Sequence, residues 1–423
     1  REALTHEHVP ELAMPEELAD LPLPQRIVAL AARLKSRQSR CQTLEQQLHE
    51  MSKRWLPTYQ LALSWLKERL DLYRATAAAY TTQLCFVIQG WMAKAETQEL
   101  ENTLTRTFDG RVVLEQQTIL EEDLAQVPVK LRNPGYFAPF EIFSRLLPLP
   151  KYTSYDPTPF IGLFFPVLFG MILGDIGYGL VLFLLAGFLV KRFPAHHLAS
   201  DLGKVLAVAA GYTCLFGLLY GELLGDLGER ALGLHPLWLD RGKAIVPMIV
   251  FSLAVGVGHT LLGILLGAWS SLRQHQPREA LLKLVTLLAV LLLVLSLVGW
   301  LSPQPWLATG PLLLGVGILL PVLIAAQGLL APLELLKTMG NIISYVRIMA
   351  IGLCSVLLAV VANRLGGITG DILLGTLIAG VLHGFNLLLG IFAPTVHSLR
   401  LHYVEFFSKF LDLGGRRFEP WHK

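Results

Sequence analysis

The stretch LVTLLAVLLLVLSLVGWLSPQPWLATGPLLLGVGILLPVLIAAQGLLAPL, Leu284–Leu333, runs for 50 residues without an Asp, Glu, Lys or Arg. A helix rising 1.5 Å per residue needs ~20 apolar residues to cross ~30 Å of hydrocarbon, so this stretch has room for two crossings. Ala244–Leu272 and Ile372–Leu399 are uncharged over lengths that also suffice. A soluble enzyme is thereby excluded, and the chain reads as mainly α, with a polytopic membrane domain.

Outward from these stretches the charge divides the chain. Residues 1–157 hold 38 of the 67 charged side chains and residues 158–423 hold 29, about one per four residues against one per nine. Eight spans are expected, at about 158–173, 176–190, 204–221, 244–270, 284–301, 307–330, 338–362 and 372–405. Only GDIGYG, Gly174–Gly179, separates the first two, and the count falls to seven if that segment bends without turning. With an internal N-terminus, inner loops carry Lys191, Arg192, Lys204, Arg273, Arg278, Lys283 and Lys337, while outer loops carry Arg230, Arg241, Lys243 and Arg364. That bias places both termini in the cytoplasm. Glu222, Asp226 and Asp175 are expected to face water at the outer interface.

Before the membrane, Ile27, Leu30, Leu34, Cys41, Leu44, Leu48, Met51 and Trp55 follow a 3-4 alternation broken only by Arg37, the seam of a coiled-coil helix. Pro57 is expected to interrupt it, and a second helical stretch, Tyr59–Ala79, to fold back as a hairpin or stalk. A strand at Leu84–Ile88, a helix at Thr97–Phe108 and a strand-like run at Arg111–Leu114 outline a small α/β lobe. The expected organisation is a cytoplasmic domain at 1–157 (coiled-coil arm 24–80, lobe 81–133, linker 134–157), a transmembrane domain at 158–410, and a cytoplasmic tail at 411–423.

Searches for soluble chemistry find no GxxxxGK[ST], GxGxxG, HExxH or GxSxG, so no nucleotide hydrolysis by this chain is expected. A net charge of +3 without a basic cluster argues against nucleic acid, and the four distant cysteines indicate neither a disulfide framework nor a zinc site. No metal and no cofactor is expected. The chain opens at Arg1 without Met or a leader-like segment, which points to a start further upstream.

The informative residues are polar ones inside the last two spans. If span seven is one helix from Lys337, Arg347 lies roughly 15 Å deep, near the midplane. There a charge costs ~2.5–3.5 kcal/mol on insertion scales, which by default marks a function. At about 100° per residue, Asn341, Ser344, Arg347, Cys354 and Ser355 share one arc. From His383, the same arithmetic aligns Asn386, Gly390, His397 and Arg400 on span eight. Two blander readings stay open: Arg400 as an end-cap snorkelling to the headgroups, and His383 with Asn386 as interhelical glue. Glu334 reads either as an interfacial partner of Lys337 or as a residue at an inner mouth.

GNIISYVRIMAIGL (Gly340–Leu353) and HSLRLHYVEFFSKF (His397–Phe410) resemble the two signatures of the large membrane subunit of V-type and archaeal A-type rotary ATPases, subunit a or subunit I. DPTPFIGLFFPVLFGMILGDIGYG (Asp156–Gly179), YGELLG (Tyr220–Gly225) and QGW (Gln89–Trp91) are further matches in family order. The resemblance implies a non-catalytic stator in the plasma membrane of a prokaryote. It would pass H⁺ or Na⁺ through two half-channels to the carboxylates of a rotating proteolipid ring. Arg347 and Arg400 would face the ring, with Glu334, Asn341 and Ser344 toward the cytoplasm and His397, Asn386 and His383 outward. Implied partners are the ring, peripheral-stalk subunits bound by the N-terminal domain, a central-stalk cap subunit and the bilayer. Eukaryotic members carry a Glu where this chain has Gly390 and a His where it has Ser355, so the sequence resembles a prokaryotic subunit I. A stand-alone channel or ion-coupled transporter with a cytoplasmic regulatory stalk would also explain the polar stripes, but not a coiled-coil arm joined to both signatures.

Overall fold

The computed structural model describes residues 22–77, 79–194, 197–301 and 309–420. The chain divides into two compact units between Gln98 and Glu99.

In the first unit, α1 is one continuous helix, Leu23–Ala77, with Pro57 inside it. The expected interruption and fold-back do not occur. Proline costs a helix one hydrogen bond and a clash with the carbonyl four residues earlier. On this exposed helix the freed carbonyl of Lys53 is left to water, and long runs of helix formers on both sides hold the register. The seam residues Ile27, Leu34, Leu48 and Met51 are exposed along it. A short hairpin follows. Strands β1 (Tyr80–Thr81) and β2 (Phe86–Val87) pair antiparallel, and the Thr82 hydroxyl accepts the Cys85 N–H at 3.0 Å to close the turn. The expected strand at Leu84–Ile88 is thus two residues long, and 111–114 forms no strand. Helix α2, Thr97–Phe108, falls where expected.

The second unit is the membrane domain. Its helices are α3 (Thr158–Leu173), α4 (Ile176–Arg192), α5 (His197–Tyr220), α6 (Ile245–Arg273), α7 (Pro277–Leu301), α8 (Thr309–Gln327), α9 (Ala331–Ile343), α10 (Val346–Ile368) and α11 (Ile372–Arg400). Among the described residues six segments are long and apolar enough to cross a membrane: α5, α6, α7, α8, α9 with α10, and α11 extended to Lys409. Helix α3 is apolar but shorter, at 16 residues.

The chain reverses between α3 and α4. Gly174, at φ +31°, ends α3 in a left-handed conformation, and Asp175 caps α4 by accepting the Tyr178 N–H. Helix α5 lies beside both. Gly170 of α3 is in contact range of Tyr212 and Gly174 of Tyr220, so α3 and α5 run together. Gly179 meets Cys214 and Gly203 meets Val190, so α4 runs the opposite way. The segments expected as spans are helical, six of them long and apolar enough to cross a membrane and α3 and α4 shorter, and the chain turns between α3 and α4 rather than bends.

Two departures from regular helix lie near the expected site. Span seven is not one helix. Ser344 and Tyr345 separate α9 from α10, with i→i+3 bonds from the Tyr345, Arg347 and Ile348 N–H groups to Ile342, Ser344 and Tyr345. At the other end of α11 the helix widens into a π-helix, Leu401–Phe406, which turns His402, Glu405 and Phe406 inward to be buried. Such widened turns recur at functional sites.

The tail folds back. Strand β4 (Arg416–Arg417) pairs parallel with β3 (Pro128–Val129), and Gly414 and Gly415 donate to the Leu149 carbonyl. Phe406, Phe407 and Phe410 join Phe140 and Phe143 of the linker in one buried core with α3 and α5. We call this end of the bundle, which carries the linker and the tail, proximal, and the opposite end distal.

Candidate functional site

The polar residues lie along the antiparallel pair α10–α11, met in opposite order on the two helices. Asn363 faces His383, Ser355 faces Asn386, and Ser344 faces Glu405. Arg347 falls between the second and third of these contacts.

The distal array joins three helices, α4, α10 and α11, and the loop after α5. Asn363 Nδ2 donates to Asp226 Oδ1 at 2.7 Å and to the Leu224 carbonyl at 2.9 Å. Its Oδ1 is then the acceptor for His383 Nε2–H at 2.8 Å, which leaves His383 Nδ1 to accept the Tyr178 hydroxyl at 2.7 Å. Tyr178 oxygen in turn accepts Asn386 Nδ2–H at 2.9 Å, and the same amide donates to the Ser355 carbonyl at 2.9 Å. Below Asn386 a recess of about 140 Å³ is bordered by Leu173, Ile351, Cys354, Ser355 and Pro394. A Cβ at Gly390 would meet Leu173 Cδ1 at 2.7 Å, so Leu173 occupies the place where a longer side chain would stand.

The proximal array gathers around the α9–α10 break. The Ser344 hydroxyl donates to Glu405 Oε1 at 2.8 Å, while Glu405 Oε2 and Asn341 Nδ2 are buried with no partner among the described residues. The Tyr345 hydroxyl and His259 Nδ1 of α6 are 2.7 Å apart, and the His259 ring stacks on Phe406 at 3.9 Å between centroids. Lys409 Nζ donates to Thr338 Oγ1 at 2.8 Å.

Arg347 is half-buried, and its Nη1 is buried without a partner among the described residues. The charged groups acting on His397 are Arg347 and Arg400. His397 therefore lies close enough to Arg347 and Arg400 to feel both charges. Arg400 is exposed, on a face with Phe392, Val396 and Val404. Glu334 is exposed at the proximal end, without an ion pair to Lys337 among the described residues. The structure thus joins Ser344 to one array and His383 and Asn386 to the other, with Arg347 and His397 between them.

Sequence reasoning missed Tyr178, Asn363, Glu405 and His259, and read Asp226 only as a carboxylate at the outer interface. Glu405 alone carried a signal, a carboxylate flanked by Phe406 and Phe407 inside an otherwise apolar run. Arg241 and Glu222 were read as loop charges, and this is a correction. Both are buried and form a close ion pair. The Arg241 guanidinium also donates to the carbonyls of Ile172 at 2.9 Å, Leu173 at 3.3 Å and Gly174 at 2.8 Å. It caps the C-terminus of α3, where orphan carbonyls and the helix dipole favour a cation. Burial pushes the Glu222 carboxyl up, and the neighbouring guanidinium pulls it back.

The sequence model of the V-type ATPase 116kDa subunit family matches residues 22–212. A-type ATP synthase subunit I of Archaeoglobus fulgidus is 30% identical over 425 residues, covering 84% of this chain and 61% of that protein. The subunit I of Pyrococcus abyssi is 29% identical over 80% of this chain and 54% of its own length. That of Methanocaldococcus jannaschii is 26% identical over 85% and 60%. The chain thus spans little more than half the length of the curated relatives it matches. Several relatives align across most of this sequence, and the membrane bundle carries both quoted signatures on its last two segments: the chain is similar to the V-type ATPase 116kDa subunit family over residues 22–212 and to A-type ATP synthase subunit I over most of its length.

Proposed function

We propose that this chain is the non-catalytic stator of a rotary ATPase membrane sector, passing H⁺ or Na⁺ past a proteolipid ring while ATP chemistry proceeds on other subunits. The observation that carries the reading is Arg347, a half-buried guanidinium with an unpartnered nitrogen, set between two separate polar arrays. The distal array, with His383 and Asn386, forms the outer half-channel. The proximal array, with Ser344, Asn341 and Glu405 and with Glu334 at its mouth, forms the cytoplasmic one. The exposed apolar face of α10 and α11, including Leu357, Leu388, Phe392 and Val396 with Arg400 beside them, faces the ring. The proximal end, with linker and tail, is cytoplasmic in a prokaryotic plasma membrane. Through its exposed seam α1 binds peripheral-stalk subunits, and a central-stalk cap subunit completes the sector.

A ring carboxylate facing lipid must be neutral, holding its ion, because burial disfavours the charged form. A guanidinium within ~4–6 Å favours the anion and releases the ion. Arginine suits this task because it stays charged when buried and its fork holds an incoming and a departing carboxylate in turn. The same charge separates the two half-channels. Arg347→Gln is expected to assemble into the complex yet abolish ATP-driven ion pumping in vesicles, with Arg347→Lys nearly as damaged and Arg400→Ala impaired less. Substantial coupled pumping by assembled Arg347→Gln would overturn the reading.

A further inference from the structure

The distal array constrains which ion can use it. Asp226, with a side chain 19% exposed, opens the array to solvent. From there to Ser355 each side chain bonds the next directly, and no link leaves a gap for a bound ion. Asn363 Oδ1 is committed to His383, Tyr178 oxygen to both His383 and Asn386, and Asn386 Oδ1 accepts the Ser355 hydroxyl at 3.5 Å. A hard cation crosses a protein by exchanging its water shell for a cage of oxygens, as the carbonyls of selectivity filters provide. Here the oxygens are already occupied, and the central link is an imidazole, a ligand suited to softer metals. A proton needs no cage, only hydrogen bonds along which to hop, and histidine is the side chain fitted to that near neutral pH.

Resting on the stator reading above, we propose that Tyr178 and His383 make the outer half-channel proton-selective, so that the transported ion is H⁺ and not Na⁺. In the outward direction, a proton from water in the recess by Ser355 and Asn386 adds to the Tyr178 oxygen while the Tyr178 O–H proton passes to His383 Nδ1. His383, now an imidazolium, gives its Nε2 proton to water at the mouth beside Asp226. The imidazole then swings to the mouth, where water takes the Nδ1 proton and returns one to Nε2, and it swings back in the Nε2–H form that bonds Asn363. One proton enters and one leaves. The Asp226 carboxylate, one hydrogen-bonded neighbour away, offsets the transient positive charge.

The test uses the whole complex reconstituted in vesicles. With ATP, the wild type is expected to acidify the vesicle interior in Na⁺-free buffer, to stop doing so when a protonophore is added, and, in a parallel buffer containing ²²Na⁺, to accumulate none of it. Protonophore-resistant ²²Na⁺ accumulation would overturn the proposal without the need for any variant. Tyr178→Phe and His383→Gln, with assembly confirmed on the same preparations, are each expected to lower proton pumping roughly 10²-fold, the scale of a positioned proton-transfer group. Wild-type proton pumping by both would equally overturn it. Arg347→Gln in the same assay separates the two levels: pumping by that variant sinks the stator reading, whereas its loss beside normal pumping in the Tyr178 and His383 variants sinks only the proton relay.

Discussion

Arg241 shows how much one side chain does here that its neighbours in sequence do not announce. Its guanidinium joins Glu222 and the last carbonyls of α3, and it lies 4.5 Å from the Tyr220 ring centroid. Removing one partner of a buried ion pair leaves the other charge uncompensated, at about 3–5 kcal/mol. Arg241→Ala should therefore destabilise the detergent-solubilised subunit by that order in thermal unfolding, and Arg241→Met with Glu222→Met should recover part of the loss. A single substitution as mild as the pair would contradict this account. Glu405 gives a second prediction. Glu405→Gln keeps an oxygen for the Ser344 hydroxyl but removes the charge, so assembly should survive while coupled pumping falls roughly 10²-fold, as for a positioned proton-transfer group. Pumping at the wild-type rate would remove Glu405 from the cytoplasmic path. Arg347 was legible in the sequence because a charge amid apolar residues has few innocent explanations. Tyr178, Asn363 and Arg241 were not, because their meaning comes from partners as far as 208 residues away in the chain.

At the scale of elements, the apolar helices were plain from composition, but their irregularities were not. Proline predicts breaks poorly here. Pro57, Pro166, Pro321 and Pro394 all lie inside helices, whereas the break before α10 falls at Ser344–Tyr345, where no Pro or Gly stands. Neighbouring helices re-satisfy the backbone groups that a proline frees, so a local rule loses to packing. The same packing makes the break: the fully buried Tyr345 ring presses against Gly256 while its hydroxyl reaches His259 on the same helix. A Cβ at Gly256 would meet Tyr345 Cγ at 2.7 Å. Gly256→Ala must therefore displace Tyr345 and, two residues on, Arg347. Overpacking of this kind costs about 1–3 kcal/mol. The variant is expected to assemble less stably and to pump fewer ions per ATP hydrolysed. Gly258→Ala on the same helix meets nothing within 4 Å and should behave as the wild type. Equal coupling ratios in the two variants would show that Tyr345 does not position Arg347.

For the membrane domain as a whole, the pairing of β3 with β4 is a topological statement. Val129 before the first span and Arg417 after the last are register partners, so they lie on the same side of the membrane and an even number of crossings separates them. Six segments long enough to cross, with the reversed pair α3–α4, accord with an even number. Helix α3, at 16 residues or about 24 Å, is shorter than ~30 Å of hydrocarbon. Its end at Ile172 lies against Gly352 of α10, well before that helix finishes at Ile368. The distal loops therefore sit deep, which brings Asp226 and Tyr178 to a depth where solvent reaches the array. The proposed orientation rests on the basic residues. With Arg241 buried, the distal loops keep Arg230, Lys243 and Arg364 against seven at the proximal end, which strengthens the positive-inside bias. In a chain with its four cysteines replaced, Arg417→Cys and Leu146→Cys should be shielded from an impermeant thiol reagent applied to intact cells and react after permeabilisation. Leu237→Cys, exposed in the distal loop between α5 and α6, should react from outside. External modification at position 417 but not at 237 would invert the orientation and exchange the two half-channels. Opposite labelling of positions 146 and 417 would contradict the strand pairing, and with it the even count on which the arrangement of both arrays around Arg347 depends.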